Sequence, residues 1–187
     1  MRNINDGISL KNWFKVVDKI EQFDLGGLRQ INSKDQALAH AVNEIRKSFE
    51  EYNIEMAFFY SRFHVYTDDY WNEIKDDLIE IFLRDCCKKI YASKINFQTS
   101  SFYKALKDTF RDDLRIIPDI AEDKILLNCE NGTLEFDKKG FTQREHHIED
   151  YLTYKLNYDY DENASCPRWN SFLDKMLPDE THQLLLH

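Results

Sequence analysis

A chain of 187 residues with 42% hydrophobic side chains is long enough to bury a core of its own, and it carries a formal net charge of −9 at pH 7. That charge disfavours a protein that binds nucleic acid over its whole surface, since such binding is driven by Lys and Arg neutralising phosphates. DNA contact is then left to a local basic patch, or to a ring of subunits whose basic residues face one channel. No run approaches the roughly 18 to 20 apolar residues that cross a bilayer, and the opening MRNINDGISLKNW lacks the apolar centre of a signal peptide, so the expected setting is cytoplasmic, with no membrane partner. Cys86, Cys87, Cys129 and Cys166 form no CxxC pair and no zinc spacing, and read as reduced, mostly buried thiols.

In residues 1–31, Leu10, Trp13, Phe14, Val17, Ile20 and Phe23 recur at helical spacing before a break at Gly26-Gly27. This reads either as a linker helix or as core packed on the main body. Ser33-Lys34-Asp35-Gln36 has the form of a capping box, and Ala37, Leu38, Ala41, Val42, Ile45, Phe49 and Tyr52 continue with helical period, which predicts a helix over 34–52. The aromatic stretch MAFFYSRFHVYTDDYWNEI is broken at Ser61-Arg62 and Asp68-Asp69, as two or three short antiparallel strands would be. Residues 76–91 form a second amphipathic helix on Leu78, Ile79, Phe82, Leu83, Cys86 and Ile90. A third runs from Thr99 or Ser100 to about Asp113, with Phe102, Ala105, Leu106 and Phe110 apolar, and Pro118 closes the region.

Residues 124–178 hold the most informative order. Ile125, Leu126 and Leu127 are a short apolar run, and Asn131-Gly132 suits a tight hairpin turn because both residues can take positive φ. Beyond an aromatic and acidic connection, Trp169, Phe172, Leu173, Met176 and Leu177 mark one face of a helix, capped by Ser165 or Cys166, with Pro167 in its first turn and Pro178 as its stop. The expected fold class is α+β, mostly helical with short antiparallel hairpins. A strand meander, two helices and a hairpin also suit a winged-helix-like arrangement with the hairpin as wing.

This series resembles the domain that precedes the superfamily-three helicase core in phage and plasmid primase-helicases, with poxvirus-type relatives. The carrying residues are Asn131, Gly132 and Leu134, then Asp150-Tyr151-Leu152-Thr153, then Tyr158-Asp159-Tyr160-Asp161, then Cys166-Pro167, Trp169 and Phe172-Leu173. Residues 63–71 also match a family strand, with Asp69 where a turn glycine is common. The resemblance implies an accessory domain over residues 32–164, after a linker or N-terminal helix at 1–31 and before a helical lead-in at 165–187 to a motor beyond it. It implies replication of a mobile element, a collar that assembles or orients a homo-hexamer on single-stranded or forked DNA, and ATP and Mg in the motor of the parent protein. This chain itself holds no GxxxxGK phosphate-binding loop, so no cofactor and no catalytic residue is expected in it.

Other chemistry is sparser. Lys104, Lys107 and Arg111 share a helical face that can track phosphates, with Lys88, Lys89 and Lys94 on a neighbouring segment, although Asp108, Asp112 and Asp113 are interspersed. A free-standing winged-helix module that reads DNA through the 100–111 helix is therefore the second hypothesis. Asp150, Asp159, Asp161 and Glu162 raise a third, a metal-dependent nuclease, but alternate acids in a YDYD segment read first as turn and surface residues. Neighbouring His146 and His147 point in different directions and read as a surface pair; Cys86 and Cys87 lie among apolar neighbours and read as packing.

Overall fold

The computed structural model describes residues 31, 33–92, 95–119, 124–138 and 140–176. The expected helix on Leu10 to Phe23, the Gly26-Gly27 break, Lys94, Leu177 and the stop at Pro178 lie outside these residues. Ser33 opens α1 (Lys34–Glu51): its hydroxyl accepts from the Gln36 amide at 3.2 Å, which satisfies one of the donors that a helix start leaves unpaired. A meander follows, β1 (Met56–Phe59), β2 (Arg62–Tyr66) and β3 (Trp71–Ile74), antiparallel in the order β1-β2-β3. Its first turn has Tyr60 and Ser61 at φ of 50 and 62, the double left-handed geometry of a two-residue hairpin. Then comes α2 (Asp76–Ile90), with two acids in its first turn and Lys88 and Lys89 in its last, as the helix dipole favours. Thr99 caps α3 (Ser100–Asp113) by accepting from the Phe102 amide at 3.3 Å.

The period-two alternation of the sheet divides its side chains between two cores. Phe63, Val65 and Ile74 face the three helices, where Ile45, Phe49, Ile79, Leu83, Ile90, Phe102, Leu106 and Phe110 are buried. Phe49 stacks on Phe82 at 5.8 Å and meets Phe110 edge-on at 6.1 Å. Ala57, Phe59 and Trp71 form a smaller cluster with Tyr66, Ile116, Ile148 and Tyr151. The chain leaving α3 returns along β1: the Phe58 amide donates to Leu114 O at 2.8 Å and the Ile116 amide to Phe58 O at 3.1 Å.

A second antiparallel sheet holds β4 (Ile125–Cys129), β5 (Gly132–Asp137) and β6 (Gly140–Arg144). Its hairpin takes β6 as third strand and is not hydrogen-bonded into the first sheet, unlike a wing that continues the strand between the helices. The turn also differs from the expected Asn131-Gly132: Cys129 pairs with Gly132, so the connecting residues are Glu130 and Asn131. Gly132 alone of that pair has positive φ, 137. A Cβ there would come within 2.5 Å of Arg144 O, so close approach by β6 fixes glycine at this position.

The last helix is α4 (Pro167–Met176), whose first turn is closed by the Asn170 amide on Cys166 O at 2.9 Å. Its expected apolar face is present, but only Leu173 is buried. Trp169, Phe172 and Met176 are 57%, 49% and 65% exposed, so this stripe is surface where periodicity alone reads as core. Among the described residues no helix is long and apolar enough to cross a membrane.

Candidate functional site

The connection from Ile148 to Tyr160 has almost no regular structure, yet it joins the two sheets. The Trp71 amide donates to Leu152 O at 2.7 Å and the Trp71 indole N–H to Ile148 O at 2.8 Å. Tyr151, at φ 49, turns its ring onto Phe59 at 5.6 Å and Trp71 at 6.3 Å. The strap then runs beside β4: the Leu156 amide donates to Asn128 O at 2.8 Å and the Glu130 amide to Tyr158 O at 3.1 Å. Asn131 closes the line, its Nδ2 donating to Tyr160 O and its Oδ1 accepting from the Tyr160 amide, both at 2.8 Å. Tyr160 meets Phe141 edge-on at 5.4 Å.

At the centre is Asn128, which sequence reasoning missed. It is fully buried; its Nδ2 donates to Asp69 O at 2.9 Å and Tyr154 O at 3.0 Å, and its Oδ1 accepts from the Thr133 hydroxyl at 3.2 Å. Asp69, which departs from the glycine of the resemblance, thus presents its carbonyl to the second sheet. Its carboxylate accepts from Lys155 Nζ at 2.6 Å, and the same ammonium reaches Glu130 at 2.6 Å. Of the residues carrying the resemblance, Asn131, Tyr151, Leu152, Tyr158 and Tyr160 therefore belong to one junction and Gly132 follows Asn131 against β6, whereas Pro167 and Trp169 lie on α4, with Trp169 stacked on Phe172 at 5.5 Å. Asp159 is exposed, and its charge helps burial hold the Cys129 thiol up from its ordinary value.

The expected basic face on α3 is rearranged by α2. Lys107 Nζ lies 2.9 Å from both Asp76 and Glu80, which hold its ammonium above the usual value against the opposing effect of burial. Arg111 is 3.0 Å from Asp108 and 3.3 Å from Asp112. Lys88 pairs with Asp85 at 3.1 Å, and Lys89 belongs to the same last turn of α2. Lys104 is different: among the described residues it has no carboxylate partner. It lines a cleft of about 580 Å³ between α2, α3 and the tip of the first hairpin, together with Arg84, Tyr103, Ser61, Phe58 and Phe63. Arg84, also without a carboxylate partner among the described residues, lies over the Tyr103 ring at 5.7 Å.

The acids that raised a nuclease reading are dispersed in role. Asp150 is gripped by Arg144 at 2.6 and 2.9 Å, and Arg144 also donates to Glu135 at 2.9 Å. Lys124 first, then Arg144, holds the Glu135 carboxyl below the usual range. Asp161 caps a turn by accepting from the Asn163 amide at 2.9 Å. His146 Nδ1 lies 3.4 Å from the Thr133 hydroxyl, and His147 Nδ1 accepts from the Glu149 amide at 3.3 Å. Among the described residues no group of three His, Cys, Asp or Glu is placed to hold a metal ion. Cys86 and Cys87 are fully buried; burial pushes the Cys86 thiol well up and that of Cys87 up to about 12, which withholds the reactive thiolate. Cys166, expected among mostly buried thiols, is exposed.

A family described as D5 N terminal like matches residues 37–178, most of the chain and all of the junction above. No curated protein matches the chain.

Proposed function

This chain belongs to the D5 N terminal like family, whose domains occur in phage and plasmid primase-helicase proteins, and on that premise we propose that it is the non-catalytic collar domain of such a replication protein. The observation that carries this reading is the family match, which spans the helical body, both sheets and α4. In the proposed arrangement the chain precedes a superfamily-three motor, which binds ATP and Mg and supplies the hydrolysis. The collar assembles or orients a homo-hexamer on single-stranded or forked DNA. Two features support a role in protein contact: the chain is acidic overall, and Trp169, Phe172 and Met176 lie exposed along one side of α4.

Light scattering on the chain, with and without single-stranded and forked DNA, tests the assembly role. A hexamer or a concentration-dependent ring without DNA is the expected result; a strict monomer at all concentrations would overturn assembly by these residues. The motor is tested by reading the coding sequence on past His187, where a phosphate-binding loop is expected. The winged-helix alternative loses support from the ion pairs of Lys107 and Arg111, since a reading helix needs uncancelled charge.

A further inference from the structure

We propose that the cleft between α2 and α3 is a nucleotide-phosphate site in which Arg84 and Lys104 hold the phosphate. The chain carries a net charge of −9, yet this cleft is lined by four cations, Arg84, Lys104, Lys107 and Arg111, against three carboxylates, Asp76, Glu80 and Asp108. The carboxylates are engaged at one end. Lys107 holds Asp76 and Glu80 at 2.9 Å each, and Arg111 holds Asp108 at 3.0 Å. Glu80 is the residue one turn before Arg84, where a helix ordinarily supplies an arginine with its partner; here it faces Lys107 instead. The other end of the cleft therefore keeps two cations with no carboxylate among the described residues.

The chemistry of that end suits a phosphate group. Arg84 rests over the Tyr103 ring at 5.7 Å, a contact that uses none of the five N–H donors of the guanidinium. Those donors form a fork that matches phosphate oxygens in pairs, and Lys104 adds a point charge. Ser100 opens α3 one turn before Lys104 at this end, whereas Phe58 and Phe63, edge-on at 4.9 Å, line the far end of the cleft with Ser61, where Phe63 meets Phe110 and the Phe58 amide donates to Leu114 O. A volume of about 580 Å³ falls in the range of small-ligand clefts and accommodates one nucleotide unit. The phosphate comes either from a DNA strand or from a free nucleotide, and the two sources are separable by experiment.

The test uses the whole chain with three probes: a fluorescein-labelled oligothymidylate followed by anisotropy, and thymidine monophosphate and inorganic phosphate followed by calorimetry, each at low and physiological salt. The double variant R84A/K104A is expected to weaken binding by about tenfold or more, and to flatten the salt dependence on the oligonucleotide by about 1.4, since each phosphate contact on a single strand contributes about 0.7 to that slope. K47A, which removes one partner of a surface ion pair on α1 outside the cleft lining, is expected to bind as the parent does. Tight binding of the oligonucleotide alone assigns the site to a strand; equal binding of the monophosphate assigns it to a free nucleotide. Binding that R84A/K104A leaves unchanged, or no binding of any probe, overturns the proposal. If the alanine pair fails to fold, R84Q/K104Q keeps much of both stems and serves in its place. The collar reading is decided by mass in solution and this one by titration, so either can fail alone.

Discussion

The helical body and the second sheet are held together by different forces. In the body, one continuous apolar cluster runs from Ala37 on α1 to Phe110 on α3, and its few buried polar atoms, such as the Tyr91 hydroxyl on Ala37 O at 2.6 Å, serve positions already enclosed by carbon. In the second sheet the fully buried residues include Asn128 and Thr133, and the strap beside β4 is held by donors and acceptors that point at one another. Apolar burial is non-directional and roughly additive in area, so the body tolerates small shifts. A buried amide is costly unless every partner is in place, so the second sheet depends on register. The junction that unites the two is of the second kind, which makes the position of one sheet on the other a matter of hydrogen-bond geometry.

The largest expected effect lies in the body. Phe110→Ala removes a fully buried ring that meets Phe49 and Phe63, each at 6.1 Å, and is expected to cost about 3–5 kcal/mol through lost transfer and the cavity left behind. The urea midpoint measures it; a loss below about 1 kcal/mol would mean that the cluster repacks and that the contrast with the second sheet is overstated.

Asn128→Ala ranks second. It leaves Asp69 O and Tyr154 O without their shared donor and the Thr133 hydroxyl with only the longer contact to His146 Nδ1 at 3.4 Å, at a cost of about 2–3 kcal/mol. Hydrogen exchange sharpens the comparison: amides of β4 and β5 are expected to exchange faster while those of α1 to α3 keep their protection. Uniform acceleration everywhere would break it and make the two regions one cooperative unit.

The same contrast decides what was legible in the sequence. The helices at Lys34–Glu51, Asp76–Ile90 and Ser100–Asp113 were readable because a buried stripe imposes its period on the residues, and Ser33 and Thr99 mark their starts. The DYLT and YDYD segments of the strap were legible only through the resemblance, because their pairing beside β4 runs largely through backbone groups that any residue carries, and nothing in their side chains has a period. Asn128 was missed for a related reason: one polar residue in an apolar run is the only local trace of a three-way link. Lys104, Lys107 and Arg111 line one cleft, but the charge there is set by Asp76 and Glu80, about thirty positions earlier. Arg84 was invisible as a candidate until α2 and α3 were seen side by side.

A third expectation uses pH and addresses the body alone. Burial pushes the Cys87 thiol up to about 12, and it raises the Cys86 thiol and the Tyr91 phenol in the same direction. Unfolded thiols ionise at about 8.5, so above that value the unfolded chain holds fewer protons than the folded one and stability falls as pH rises. The part due to Cys87 is complete below about pH 8 and is lost towards pH 12, amounting to about 1–2 kcal/mol by pH 10. Urea midpoints of the parent and of Cys87→Ala at about pH 8 and pH 10 isolate it. The variant is expected to lose less on alkalinisation, and an equal loss would place the sensitivity outside this thiol.

The smallest effect belongs to the junction. Lys155 Nζ is 2.6 Å from both Asp69 and Glu130, with its side chain 17% exposed and those of its partners 21% and 42%. Water reaches this group, so screening reduces what the charges contribute, and Lys155→Met is expected to cost only about 1 kcal/mol. Its value is diagnostic. Methionine keeps an apolar stem of similar length, so the loss isolates the ammonium from the packing of the chain around it. Raising salt should therefore narrow the gap between Lys155→Met and the parent, while the gap for Phe110→Ala stays as it was, because ionic screening does not act on a cavity. If salt narrows both gaps alike, the body is also held by charge, and the division between an apolar body and a polar junction does not stand.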